Sequence, residues 1–309
     1  MNETKKLRHR FDFGTLSKDL RVVNVSVDWD GEPLILLEEG KPAAPPMDSA
    51  DRWAFPNWVN TPPLAHVVVH WQRDLPALVR LENSSKRTMT YHVQRFGKGW
   101  LLGDSRGGYT RILDEDGEII RVLDLGDASE HIQTTSDGHI WVAYFDEGVF
   151  GNGIGQEGLI CFDPNGQPIF RYGDFAEKHK LPSVADCYTL NVDEGCVWAC
   201  YYTDFPLIQL KDFSVERIWN NFGATKAIAV RGTQFVRFPA YWKPFLLSRS
   251  FETDKEDTWE LENPEGKPLS KLEGTEADIV AGYRRVPFQV TARGSRLYVW
   301  DEMGLYELE

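Results

Sequence analysis

Hydrophobic residues in this chain occur mostly in short alternating runs, and turns rich in Gly, Asp, Asn and Pro separate the runs. Alternation with a period of two puts every second side chain on one face, which is typical of a half-buried β-strand. The sequence shows no sustained helical period, so the pattern predicts an all-β protein. The 309 residues suffice for one large β domain, and no linker-like segment divides them.

One unit of this pattern is repeated along the chain. Its clearest copy has a turn at Asp137-Gly138, a strand that contains Trp141, and a later strand that ends in Asp163-Pro164-Asn165-Gly166. Units of about 40 to 50 residues that cannot bury both faces alone close into a ring in a β-propeller. The second strand of each unit aligns on a bulky residue, giving Leu34, Trp100, Trp141, Trp198, Phe235 and Tyr298.

The sequence therefore predicts a six-bladed β-propeller of four-stranded blades, with residues 1–309 as a single domain. The C-terminal unit lacks a fourth strand, and residues 7–13 can supply it, which would close the ring and remove an exposed edge. Seven blades are the alternative, because the first and fifth units are long. The segment Asp28–Pro33 can be interpreted as an inner or an outer turn.

The string Asp137–Val142, followed by Gly158-Leu159 and then Phe162-Asp163, resembles the propeller repeats of bacterial two-component sensors, of streptogramin lyase and of NHL proteins. The string is complete in the unit that contains Trp141 and partial in the others. This resemblance implies the architecture but no single function, because such propellers include enzymes, sensors and scaffolds.

Gluconolactonase-type propellers hold a divalent metal at the entrances of their inner strands, and this resemblance raises the question of a metal in this chain. The corresponding positions offer Glu130, His131, Asp186 and Lys226. Since a lysine would oppose a cation, the metal site is not carried over, and a Ca²⁺ or Mg²⁺ cofactor stays an open expectation.

Three long connections are predicted on one face of the ring, between the second and third strands of their blades. They are a Pro/Trp-rich insertion at 41–63, the segment Phe150–Gly155 and the segment Phe238–Pro244. A rigid scaffold positions such loops for binding. We expect ligand contacts from Trp53, Trp58, Tyr241 and Trp242. The alternative is that these aromatic residues pack the loops onto the propeller surface.

Charged residues are predicted on the same rim. We expect four of them and one tyrosine to contact a ligand: Asp104, Arg106, Asp146, Lys226 and Tyr109. Carboxylates near the axis can coordinate a hard cation or attract a cationic ligand, although Asp is also common in tight turns for backbone reasons. Arg106 and Lys226 can hold an anionic group or pair with neighbouring acids.

Glu130, His131 and Asp186 are the candidate catalytic residues. The entrance of an inner strand points towards the axis, and a carboxylate beside an imidazole can tune proton transfer. A histidine in such a place is also often a structural group. None of the familiar nucleophile, phosphate or dinucleotide motifs occurs in the sequence.

Composition excludes several classes of protein. The net charge of −13 opposes contact with a nucleic-acid backbone. No run approaches the roughly 20 apolar residues that cross a bilayer, so we expect a soluble, cytoplasmic protein without membrane partners. Four cysteines without paired spacing, Cys161, Cys187, Cys196 and Cys200, are expected to be reduced core residues.

Three functions agree with the sequence. The first is a ligand-binding propeller that recognises a small molecule or peptide at an aromatic, acidic central funnel. The second is a metal-assisted lyase or lactonase-like hydrolase that acts at the same funnel. The third is a scaffold that binds a protein partner through the broad rim, including the insertion at 41–63.

Overall fold

The computed structural model describes residues 2–40, 65–72, 75–81, 90–193, 195–240, 244–253, 255–269 and 288–309. These residues form six sheets, and in each sheet four antiparallel strands make one blade, while one sheet has a fifth strand at its edge. The prediction of six four-stranded blades is confirmed, and the seven-bladed alternative is wrong.

The strands follow one another blade by blade along the chain, after two strands at the start. These two are β1 (Asn2–Lys6) and β2 (Arg8–Asp12). Blade 1 contains β3 (Leu20–Val27), β4 (Pro33–Glu39), β5 (His66–Gln72) and β6 (Leu75–Leu81). Blade 2 contains β7 (Thr90–Phe96), β8 (Gly99–Asp104), β9 (Tyr109–Leu113) and β10 (Ile119–Asp124). Blade 3 contains β11 (Ser129–Thr134), β12 (Ile140–Tyr144), β13 (Leu159–Phe162) and β14 (Pro168–Arg171).

The remaining strands complete the ring. Blade 4 contains β15 (Asp186–Asp193), β16 (Cys196–Tyr202), β17 (Leu207–Lys211) and β18 (Ser214–Trp219). Blade 5 contains β19 (Thr225–Arg231), β20 (Gln234–Pro239), β21 (Leu246–Ser250) and β22 (Glu256–Glu262). Blade 6 contains β23 (Gln289–Arg293), β24 (Arg296–Trp300), β25 (Gly304–Glu307) and the early strand β2.

The ring closes at its axis and at its edge. The innermost strands β3, β7, β11, β15, β19 and β23 contact one another in sequence, and β23 contacts β3. The strand β2 pairs antiparallel with β25, so the predicted closure by residues 7–13 is confirmed. One further strand was not predicted: β1 pairs in parallel with β22 and covers the outer edge of blade 5.

The bulky residue of each repeat lies in the second strand of its blade, as the alignment predicts. All six residues are at most 7% exposed, and they are Leu34, Trp100, Trp141, Trp198, Phe235 and Tyr298. Burial of such side chains between neighbouring blades is the main source of hydrophobic stabilisation in the ring.

Two short helices connect strands around blade 3. Helix α1 (Asp146–Val149) follows β12, and helix α2 (Tyr172–His179) joins blade 3 to blade 4. Tyr172 of α2 is fully buried, and its hydroxyl lies 2.7 Å from that of Tyr201. Within the described ranges, no helix has the length and apolar content that crossing a bilayer requires.

The four cysteines are unbonded to one another, and Cys161, Cys187 and Cys200 are buried. Burial raises the pKa of the Cys200 thiol to about 12, so it stays protonated at neutral pH. Three of the cysteines are therefore small core residues, as the sequence predicts, and Cys196 is partly buried.

Candidate functional site

The candidate site is a cavity on the axis of the ring. The strand register places the start of each inner strand opposite the end of the second strand, as in the pairs Ser129 with Tyr144 and Asp186 with Tyr202. The entrances of inner strands and the connections between second and third strands therefore share one face, which we call the cavity face. A cavity of about 880 Å³ lies there, lined by residues from all six blades.

Bulges in the inner strands determine which side chains reach this cavity. Five inner strands shift register near their entrances. A bulge sets two consecutive residues against one residue of the partner strand and redirects a side chain. This explains how the adjacent residues Glu130 and His131 both line the cavity. The residues at the five shifts are Val23, Tyr91, Glu130, Tyr188 and Lys226, and all of them except Val23 line the cavity.

Glu130 and Lys226 form an ion pair at one wall of the cavity. The Lys226 Nζ lies 3.0 Å from the Glu130 Oε1 and 4.9 Å from the ring centroid of Tyr188. Burial opposes ionisation of Glu130, but its electrostatic interactions with His131 and Lys226 and the hydrogen bond from Lys226 favour the carboxylate, so the pKa of Glu130 falls below its usual value. Glu130 is therefore a carboxylate at neutral pH.

The two histidines of the cavity are neutral groups. The Nε2 of His131 donates a hydrogen bond to the Tyr188 carbonyl at 3.0 Å, and the Nε2 of His92 donates to the Ser129 carbonyl at 3.2 Å. Because a carbonyl can only accept, each ring carries its proton on Nε2. Burial lowers the pKa of both rings, that of His92 to about 4.

Asp186 and Asp146 lie on the same side of the cavity. Helix α1, which begins at Asp146, contacts β15, which begins at Asp186. Within the described part of the chain, no group donates a hydrogen bond to the carboxylate of Asp186. Burial raises the pKa of Asp186 to about 6, the nearby charge of Lys226 opposes this shift, and the charges of Glu130 and Asp146 add to it.

Arg293 closes the floor of the cavity. Its side chain comes from blade 6 and is 4% exposed. The guanidinium donates to the Val192 carbonyl at 3.0 Å, to the Gln94 side-chain oxygen at 2.9 Å and to the Thr134 carbonyl. These acceptors lie in blades 4, 2 and 3. One side chain thus joins inner strands from several blades at the axis.

Buried amides at equivalent inner-strand positions extend this closure. Gln133 donates to the Leu190 carbonyl at 3.0 Å, and Asn191 donates to the Ile228 carbonyl at 2.6 Å. Each amide therefore bridges to the next blade. We call the set Gln94, Gln133, Asn191 and Arg293 the axial plug. A second depression, of about 450 Å³, lies on the other side of Arg293.

Three predicted ligand contacts lie away from the cavity lining. Asp104 is 3% exposed, accepts a hydrogen bond from the Thr90 hydroxyl at 2.9 Å and pairs with Arg111 at 3.1 Å. These contacts join neighbouring strands of blade 2. Arg106 and Tyr109 also lie in blade 2, outside the residues that line the cavity.

Arg106 lies behind the cavity wall. It pairs with Asp127 at 3.5 Å and with Glu147 at 3.7 Å, and its guanidinium lies 5.7 Å from the ring centroid of Phe145. Phe145 itself lines the cavity. Pairing of Arg106 with neighbouring acids was one of the two roles that the sequence left open.

The four aromatic residues predicted to contact a ligand from the loops, Trp53, Trp58, Tyr241 and Trp242, lie outside the described residues, as does the whole insertion at 41–63. The flanking strands show that the insertion follows the second strand of blade 1 and precedes the third, β4 and β5. The corresponding connection in blade 5 follows Pro239 and Ala240, both of which line the cavity.

Five aromatic residues line the cavity, and sequence reasoning missed four of them, which are Tyr91, Phe145, Tyr188 and Trp300; the fifth, Phe238, begins a connection predicted on this face. A signal for two of them was present. The segment Thr90–Gln94 has the same pattern as Ser129–Gln133, so Tyr91 aligns with Glu130. Tyr188 occupies the same position in the next repeat. The position of Tyr91 and Tyr188 at the bulge, and not their residue type, indicates that they reach the cavity.

A metal site is not evident in the geometry. Among the residues that the structure describes, no three His, Cys, Asp or Glu side chains are placed to hold an ion together. What the cavity presents is a set of carboxylates, one ammonium group, two neutral imidazoles and aromatic walls.

Comparisons with known proteins do not assign the chain to a family. The YxzG family matches residues 159–236, about a quarter of the chain, which is too little to assign the whole protein to it. No curated protein matches. Similar structures include the Pan2 WD40 domain of Neurospora crassa, with 12% identity, a TM-score of 0.47, and coverage of 96% of this chain and 81% of that one.

Two further structures are similar at the same level. YCF48 bound to D1 peptide has 10% identity and a TM-score of 0.48, covering 95% of this chain and 80% of that one. Hsv2 of Kluyveromyces lactis has 10% identity and a TM-score of 0.46, covering 93% and 73%. Similarity at this level carries no conclusion about the function of this chain. The strand order of the described residues makes the chain a six-bladed β-propeller, as the resemblance of its repeats implies.

Proposed function

We propose that this protein is a ligand-binding propeller whose central cavity holds a small molecule or a segment of a peptide. The observation that carries the proposal is the cavity of about 880 Å³ on the axis. Ligand sites are concave, mostly of about 300 to 1,000 Å³, and combine apolar walls with a few placed polar groups. Because six rigid blades supply the lining, its side chains are positioned before a ligand arrives.

The closed floor supports this proposal. Arg293, Gln133 and Asn191 donate hydrogen bonds to backbone carbonyls of blades 4 and 5, and Arg293 also donates to the Gln94 side chain of blade 2. The cavity is therefore blind at this end. A blind, preorganised pocket can surround a small ligand on several sides, whereas an open channel would leave it hydrated.

Cavity-dependent binding is the direct test. A library of cationic, neutral and anionic small molecules and short peptides would be screened by thermal unfolding, and hits measured by calorimetry. Thr291 lines the cavity, so Thr291→Tyr should fill part of it and abolish binding. The matched control is Val122→Tyr, because Val122 is 45% exposed on the outer strand β10.

We expect hits that raise the unfolding temperature of the wild type and of Val122→Tyr but not of Thr291→Tyr. The proposal fails if no class of compound shows this dependence on Thr291 while the variant unfolds like the wild type. Retained binding of a whole protein by the Thr291 variant would instead favour a scaffold that uses the rim.

A second candidate is acid–base catalysis at the same cavity, by a lyase or hydrolase. It is favoured by Asp186, a carboxyl whose pKa burial raises to about 6 inside a concave site. Ester and lactone hydrolysis, with and without Ca²⁺ or Mg²⁺, would be compared between the wild type and Asp186→Asn. Equal rates for the two proteins in every condition would remove this candidate.

A further inference from the structure

The charge of the cavity suggests what kind of ligand fits. Three carboxylates, Glu130, Asp146 and Asp186, line it, and Lys226 is the single Lys or Arg among its described lining residues. The histidines add no positive charge at neutral pH, since burial lowers the pKa of each. Negative charge is therefore in excess, and a concave site with low-dielectric walls concentrates the field.

Lys226 already has its partners. Its ammonium is 3.0 Å from a Glu130 oxygen and lies against the Tyr188 ring, 4.9 Å from the centroid. One carboxylate is thus used by the protein's own cation. Asp146 and Asp186 both line the cavity, belong to the contacting elements α1 and β15, and are the carboxylates in excess.

The walls favour an organic cation over a hydrated metal ion. Five aromatic residues line the cavity, and the face of an aromatic ring attracts an ammonium group electrostatically. Calcium instead takes six to eight oxygen ligands, and no described group of three acidic, His or Cys side chains is arranged around a point. The Glu130, Lys226 and Tyr188 contact shows how an ammonium lies between a carboxylate and a ring in this cavity.

We propose that the cavity binds a ligand through a protonated amine, which is held by the carboxylates of Asp186 and Asp146 against the aromatic wall. This inference rests on the proposed binding function and specifies the chemical class that the same site selects. A free alkylamine and the side chain of a lysine share this chemistry.

Probes of matched shape separate charge from size. Phenethylamine, 2-phenylethanol and 3-phenylpropionate carry a positive, zero and negative charge on similar skeletons. Their binding would be measured by calorimetry at pH 7.5 and constant salt. We expect phenethylamine to bind at least ten times more tightly than the other two. A peptide pair that differs only in lysine against norleucine would distinguish the side chain from the free amine.

Three variants test the site. Asp186→Asn and Asp146→Asn keep side-chain size and remove one charge each, and each should weaken phenethylamine binding about tenfold. Asp116→Asn is the matched control, because Asp116 is an exposed residue of the turn between β9 and β10 and makes the same change in net charge. It should leave the affinity unchanged. Thr291→Tyr should abolish binding of the amine.

The outcomes separate this inference from the proposed function. If the alcohol or the carboxylate binds equally well and depends on Thr291, the amine inference is overturned and the binding function stands. If Asp186→Asn leaves the affinity for the amine unchanged, or Thr291→Tyr does not affect it, the proposed amine-binding site is wrong. Absence of amine binding up to millimolar concentration, or stabilisation by Ca²⁺ instead, also overturns the inference, while the wider library still decides the binding function.

Discussion

At the residue scale, Asp186 is a carboxylate whose partly buried position in the cavity disfavours its charged form. An aspartate ordinarily has a pKa near 3.8, and burial raises the pKa of Asp186 to about 6 despite the nearby ammonium of Lys226. The folded state therefore binds this proton more tightly than the unfolded state, which destabilises the fold once the proton has left. Such a cost is often found where a group serves binding or catalysis rather than stability.

This leads to a prediction about stability and pH. Between about pH 4 and pH 6, the range spanned by the two pKa values, the Asp186 contribution should make stability fall as the pH rises. At pH 7.5, Asp186→Asn should be more stable than the wild type by about 1 kcal/mol, well below the roughly 3 kcal/mol of the full shift because solvent screens a half-buried group.

Urea unfolding of both proteins at pH 4 and pH 7.5 checks this prediction. The difference between them should be small at pH 4 and appear at pH 7.5. Asp28 also has a pKa raised to about 6 by burial, but both proteins share it, so it cancels in the comparison. An Asn variant that is less stable than the wild type at pH 7.5 would show that the carboxylate makes favourable contacts in the folded state.

Ligand affinity should respond to pH in the opposite direction. If an amine binds at Asp186, its affinity should fall as the pH is lowered from 7.5 to 5, because protonation removes the attracting charge. Glu130, Asp146, Glu147 and Lys226 also act on this carboxyl, so the sensitive check is the difference between wild type and Asp186→Asn. Parallel pH profiles for the two proteins would contradict a role of Asp186 in binding.

At the element scale, the sequence predicts where turns occur along the chain better than it predicts which strands of a blade they connect. Asp114, Asp163 and Asn263 each begin a turn in which the backbone N–H bonds to the carbonyl four residues later, and Asp28 does the same. The first two turns join third and fourth strands, but Asn263 follows the fourth strand of blade 5, and Asp28 lies between β3 and β4. Local side-chain chemistry sets the turn, whereas packing decides which strands it joins.

The same limit applies to the candidate site. Glu130, His131, Asp186, Lys226 and Asp146 could be placed at the cavity because the repeat fixes where inner strands begin. Asp104 could not be assigned from its position alone, because its orientation towards Thr90 and Arg111 depends on the pairing of β8 with its neighbours. Partner choice for a buried carboxylate is a tertiary property that a single strand pattern does not contain.

A turn between β17 and β18 shows local strain retained for packing. Asp212 and Phe213 have φ values of 49° and 57°, in a region that bulky residues rarely adopt. The Phe213 ring is stacked with Trp141 and Phe170 of the neighbouring blade, with centroids 5.9 and 5.6 Å apart. Stacking of this kind contributes about 0.5 to 1.5 kcal/mol per pair beyond area burial.

We therefore expect Phe213→Gly to destabilise the protein by about 1 kcal/mol, because lost stacking and burial outweigh relief of about 1 kcal/mol of backbone strain. Phe213→Asn is the companion variant, since Asn also tolerates this backbone region. Chemical denaturation of the three proteins provides the measurement. A glycine variant more stable than the wild type would mean that strain exceeds the benefit of the inter-blade contact.

At the scale of the whole molecule, the ring is closed both by strand pairing at its edge and by side-chain hydrogen bonds at its axis. The edge closure uses β2 beside β25, and β1 then covers β22. Removal of residues 2–6 should leave six complete blades and lower stability modestly, whereas removal of residues 2–12 also deletes the fourth strand of blade 6. We expect cooperative unfolding for the first deletion and aggregation or loss of cooperativity for the second, measured by circular dichroism and light scattering. Equal behaviour of the two would contradict the assignment of β2 as the closing strand.

The axial closure is a property of Arg293 and should be visible in the unfolding of the whole ring. Its guanidinium donates to acceptors from blades 2, 3 and 4, and burial lowers its pKa to about 10, which keeps it charged at neutral pH. Arg293→Met keeps length but leaves buried acceptors without donors, which should cost about 3 to 5 kcal/mol. Arg217→Met, at an exposed residue of the outer strand β18, is the control and should cost about 1 kcal/mol or less. Denaturation curves compare the two. If Arg293→Met costs no more than the control, hydrophobic packing between the blades alone holds the axis closed.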